Sequence, residues 1–180
     1  MFFWLSLNVF PFGNTREMNK KNLSIDFEYD YNFLLIGICS PLKEHQISYH
    51  LNKELNSYFA RSKEDIGMNF RDGLEKAFFP LYEYWDDQYQ NQWYLIANKC
   101  QINCSDQNQG TIFDGFIQNR KKTKFLIPEN PKVDFYLQVH GIVNAESKTE
   151  LLKNIKNLNR IVSVHEINIA NLRSKENLII

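Results

Sequence analysis

Between Phe33 and Cys39 the chain is apolar without a break, Phe-Leu-Leu-Ile-Gly-Ile-Cys. So short a run, with branched and aromatic side chains, predicts a buried central strand. Ser40 and Pro41 follow in the order of a helix N-cap and first helical residue. Ile47, Leu51, Leu55 and Tyr58 then recur at helical spacing, which predicts an amphipathic helix. Arg61 to Lys76 is charged, keeps no clean period and reads as loop or a short irregular element. Phe78 to Trp85 and Trp93 to Ala97 are aromatic strand-like runs joined by a polar turn, the pattern of a β-hairpin. Gln101 to Lys124 is a long polar connection ending in Arg120-Lys121-Lys122-Thr123-Lys124, and a connection of that length is expected to be mobile or functional.

Pro128 and Pro131 then fix the backbone on both sides of Glu129 and Asn130. The turn runs into a period-2 strand with Val133, Phe135, Leu137 and Val139 on one face and Asp134, Tyr136, Gln138 and His140 on the other, a half-buried strand. Ser147-x-x-Glu150 has the form of a capping box, and Leu151, Ile155, Leu158 and Val162 form an apolar stripe behind it. Val162 to Ile169 returns as a strand, and Leu172 to Ile180 is a turn whose apolar end docks on the domain.

Ile127-Pro128-Glu129, three residues, then Val133-Asp134-Phe135 resembles the signature of the bacterial IPExxxVDY family, with Phe135 in place of its tyrosine. Phe33 to Gly37, Phe79 to Tyr84, Leu95 to Lys99 and Leu172 to Ile180 resemble further blocks in family order, covering most of the chain from Met18 onward. The resemblance implies a family without an assigned activity. It therefore brings no catalytic residue and no cofactor.

The element order strand, helix, strand, strand, strand, helix, strand predicts an α+β two-layer sandwich. Its mainly antiparallel sheet carries both helices on one face, with ferredoxin-like or ACT-like topology and an additional strand. The 180 residues suffice for one domain over residues 18–180. Residues 1–17 read as an apolar extension from a mis-assigned start: they lack a basic leader and a cleavage pattern, and are too short to span a bilayer.

Lys plus Arg and Asp plus Glu both number 21, so no net field favours nucleic acid or an anionic membrane. The odd count of 3 cysteines fits a reducing, cytoplasmic compartment. Cys100 and Cys104 have neither zinc-ligand spacing nor a nearby histidine, and no metal is expected. Phosphate-loop and nucleophile-elbow motifs are absent, and no cofactor is expected. His45 and His50 do not share a helix face.

What remains is a set of candidates, Pro128, Glu129, Asp134, His140, Tyr82, Tyr84 and Trp85. Glu129 and Asp134 read first as structural carboxylates. An enzyme would need Asp134 to meet His140 or His165. The tyrosines and tryptophan suit an interface, because such side chains anchor protein contacts. The leading expectation is therefore an intracellular, non-enzymatic protein-interaction module with a protein partner. An ACT-like domain for a small-molecule ligand comes second, and a small enzyme or weak RNA binder last.

Overall fold

The computed structural model describes residues 29–70, 75–104, 120–141 and 143–180. The expected extension over residues 1–17 and the middle of the Gln101–Lys124 connection lie outside them. The chain divides into Met1–Asp30 and Tyr31–Ile180, and the architecture is that of the second unit. It comprises β1 (Phe33–Cys39), α1 (Glu44–Leu55), β2 (Ala60–Arg61), β3 (Ile66–Asn69), β4 (Lys76–Phe79), β5 (Leu81–Asp86) and β6 (Asn91–Ala97). Then come β7 (Lys99–Cys104), β8 (Arg120–Phe125), β9 (Phe135–His140), α2 (Ala145–Asn157) and β10 (Ser163–Glu166).

Six strands form one sheet in the order β10-β1-β9-β6-β5-β2. Every neighbouring pair is antiparallel. Ile36 and Ile38 of β1, Leu95 of β6 and Phe135, Leu137 and Val139 of β9 point to one face, where Ile47 and Leu51 of α1 and Leu151 and Ile155 of α2 cover them. The molecule is thus α+β, with two helices against the same side of an antiparallel sheet.

The opposite face departs from the half-buried strand that the alternation predicted. Tyr136 and Gln138 are fully buried there. Leu35, Ile96 and Tyr136 pack against Ala77 and Phe79 of β4, Leu126, Ile127, Leu172 and Leu178. Two small antiparallel ribbons, β3–β4 and β7–β8, and the chain after Leu172 supply this cover. A third layer therefore replaces the expected two-layer sandwich. Gly37 lies under it: a Cβ there would come within 2.6 Å of Ile167 Cδ1.

The ends of the elements shift for identifiable reasons. Ser40 does not cap α1. Its Oγ accepts from Leu42 N and donates to Arg160 O, so helix entry passes to Lys43, whose N–H donates to Gln46 Oε1 at 3.0 Å. Asn56, at φ 50°, closes the helix, which leaves Tyr58 outside it. In α2 the cap is Asn144, whose Oδ1 accepts from Ser147 N at 2.7 Å, so Ser147 sits in the first turn. Val162 is not part of the helical stripe: it is 76% exposed, past the turn at Arg160. Arg61 to Lys76, expected as loop or a short irregular element, holds the short strand β3, whose Ile66 and Met68 pack on the second core.

Candidate functional site

Pro128 and Pro131 each occupy the second position of a turn, closed by Asn130 N to Ile127 O (3.2 Å) and Val133 N to Asn130 O (3.1 Å). Beneath these turns lies Asn98, fully buried at the end of β6. Its Oδ1 accepts from Ile127 N at 2.9 Å, and its Nδ2 donates to Asn130 O at 3.1 Å and Val133 O at 2.9 Å. Its main chain completes the set, N–H to Asp134 O and C=O from Leu126 N, both 2.9 Å. One amide side chain thus binds three backbone groups, two of which, Ile127 N–H and the Val133 carbonyl, the irregular turn would otherwise bury unpaired.

Asp134 and Glu129 are tied into the same construction. Asp134 Oδ2 accepts from Ser40 N at 2.8 Å, and its Oδ1 pairs with Lys99 Nζ. Glu129 Oε1 accepts from Ser174 N at 2.7 Å and Ser174 Oγ at 3.0 Å. Burial alone would raise the Glu129 pKa, but hydrogen bonds from its own backbone, from Ser174 and from Arg173 outweigh it and hold the carboxyl below its ordinary range. Asn177 Nδ2 adds a bond to Leu126 O at 2.8 Å. Both carboxylates are therefore engaged with main-chain and tail groups.

No histidine joins them. His140 ends β9, six residues from Asp134, roughly 20 Å along an extended strand. Its ring packs 4.8 Å from Phe33 and edge-on to Tyr94 at 5.6 Å, and burial lowers its pKa. His165 is exposed on the edge strand opposite Gly37. Asp134 receives its hydrogen bonds from Ser40 and Lys99 and from neither histidine. Among the described residues no group of three or more His, Cys, Asp or Glu gathers as a metal site. No described helix is long and apolar enough to cross a membrane.

No protein-family model, curated protein or solved structure matches the chain.

The hairpin candidates separate by face. Tyr82 is buried on the helix side with Arg61 over its ring at 5.4 Å, and burial raises its pKa. Tyr84 is half-buried beside Phe59 (5.6 Å), with Tyr58 and Trp93 both at 6.4 Å, and its pKa is also raised by burial. Trp85 is 47% exposed. Together with Tyr58 and Tyr89, which are 75% and 66% exposed, it lines a depression of about 530 Å³ that also meets Glu83, Asp86 and Asp87. Tyr58 and Tyr89 were not singled out from the sequence: one read as a helix-stripe residue, the other as part of a polar turn. The basic run lies elsewhere, on β8, where Lys122 and Lys124 reach Glu75 at 3.8 and 3.0 Å.

Proposed function

We propose that this chain is a bacterial IPExxxVDY-family protein and acts as a cytoplasmic protein-interaction module, docking its partner on the Tyr58–Trp85–Tyr89 depression. The observation that carries this reading is the contrast between the two candidate regions. Glu129, Asp134 and Asn98 have their polar atoms committed to holding the fold, whereas Trp85 and Tyr89 of the hairpin, with Tyr58, are presented to solvent. The family reading draws support from Leu95 to Lys99, the proline turn and the tail, distant in sequence, meeting around Asn98. Unpaired Cys39 and Cys100 support a reducing compartment.

The core topology we assign is ferredoxin-like, with β5 and β2 added at one edge. It is supported by the run β10-β1-β9-β6, whose four strands stand fourth, first, third, second in chain order, with α1 between the first and second of them and α2 between the third and fourth. Affinity purification from the native host with wild type and Trp85→Ala tests the interaction reading. A stoichiometric protein retained by wild type and lost from the variant is expected; equal retention would sink the assignment of the site.

A second reading, an ACT-like ligand-binding domain, is favoured by a depression of about 660 Å³ between Tyr31, Phe33, Ile167 and Lys175. Lys175 Nζ stands 4.7 Å over the Tyr31 ring there. A metabolite that raises the melting temperature in wild type and not in Lys175→Ala is the expected sign of it.

A further inference from the structure

We infer that the depression at the end of the β5–β6 hairpin receives an arginine side chain of the partner protein. The inference rests on the interaction reading above and specifies the chemistry that the site accepts. The residues lining the depression include the aromatic side chains Tyr58, Tyr84, Trp85 and Tyr89 and the acids Glu83, Asp86 and Asp87, with no lysine or arginine among them. Among the described residues, neither Glu83 nor Asp87 forms an ion pair. Asp86 is different, because its Oδ1 accepts from Gln88 N and Tyr89 N at 3.0 and 3.2 Å and holds the turn in place. A surface that concentrates ring faces and unpaired carboxylates is complementary to a cation that can stack.

The backbone adds a further acceptor. Ser62 N donates to Leu81 O at 2.9 Å, so by the alternation of an antiparallel strand the main-chain groups of Leu81, Glu83 and Trp85 all turn away from β6. β2 ends at Ala60, opposite Glu83. The outward carbonyl of Trp85 therefore lies beyond the last rung and faces the side where Asn56 and Tyr58 border the depression. Carboxylates on Glu83 and Asp87, a free carbonyl and flat aromatic faces together call for several N–H donors on a planar cation. A guanidinium supplies five such donors and stacks, whereas an ammonium presents a compact, strongly hydrated charge.

The test uses the full chain, isotope-labelled for NMR, titrated with the peptide acetyl-Gly-Ser-Arg-Ser-Gly-amide and its twin carrying citrulline, the neutral isostere of arginine. Amide shifts are expected at Tyr58 and from Glu83 to Tyr89, with the arginine peptide binding about tenfold tighter than its twin. Glu83→Gln combined with Asp87→Asn alters exposed groups and is expected to leave the circular dichroism spectrum unchanged. It is expected to remove that preference, as is raising the salt to about 0.5 M. Equal binding of the twins, no shift with either, or shifts mapping to another face overturns the inference. The interaction reading fails separately. A native partner that is lost from Trp85→Ala yet retained by the Glu83→Gln, Asp87→Asn variant at high salt keeps the docking site and rejects the cation. A partner retained by Trp85→Ala rejects the site itself.

Discussion

Replacing Asn98 by alanine leaves Ile127 N–H and the Val133 carbonyl buried with no partner in reach, and takes from Asn130 O one of its two donors. Each such group costs about 1–3 kcal/mol, so Asn98→Ala is expected to destabilise the fold by about 3 kcal/mol or more in urea unfolding. Asn98→Asp fares little better, because a carboxylate still accepts from Ile127 N but donates to neither carbonyl. Nothing in the sequence marks Asn98, since a polar residue after an apolar run reads as a strand end entering solvent. The two titrating groups are shifted in the same direction for opposite reasons, and they share one sign in stability. Glu129 is held below its ordinary 4.5, so its contribution is present above that value and is lost as pH falls through the folded pKa. His140 is likewise held below its ordinary 6.5, being disfavoured when charged, so the unfolded chain binds its proton first and stability falls as pH drops below 6.5. His140→Gln should flatten the stability profile just below neutrality and Glu129→Gln the more acidic limb, both read from urea midpoints across pH.

At the level of elements, strands and helices were legible where one periodicity ran unbroken, as in β1, the β5–β6 hairpin and both helical stripes. Their limits were not, because several residues compete for each cap. Asn144 and Ser147 both suit an N-cap, and the chain uses the earlier one, with Glu146 following in the first turn. Asn144→Ala should therefore cost about 1 kcal/mol, and Ser147→Ala much less, in the same unfolding assay. Ser40 failed as a cap for a tertiary reason, its hydroxyl being occupied by Arg160 O across 120 residues. The end of β9 depends on Gly141, at φ 127°, where an added Cβ would fall 1.8 Å from Asn91 Oδ1. Gly141→Ala is accordingly expected to lower stability by about 2 kcal/mol.

For the molecule as a whole, the alternation along β9 concealed its second buried face. Tyr136 and Gln138 read as outward polar residues, yet a phenol ring and an aliphatic stem pack well once a cover exists. That cover comes from the ribbons and the tail. Gln138 Nε2 donates to Leu178 O at 2.9 Å, and Leu178 is itself buried. Deleting residues 174–180 should cost at least about 3 kcal/mol, from one buried leucine and an unpaired amide, and should increase binding of a hydrophobic dye. The aromatic depression was half legible: Tyr84 and Trp85 declared themselves, while Tyr58 joined them only because α1 ends at Asn56. The central position of β9 also bears on how fast the molecule assembles. Asp134, at the head of β9, meets Ser40 across 94 intervening steps of chain, and β9 has no sheet partner nearer in sequence than β6. A large loop must close before the middle of the sheet gains any reward, so refolding belongs in the slow range of milliseconds to seconds.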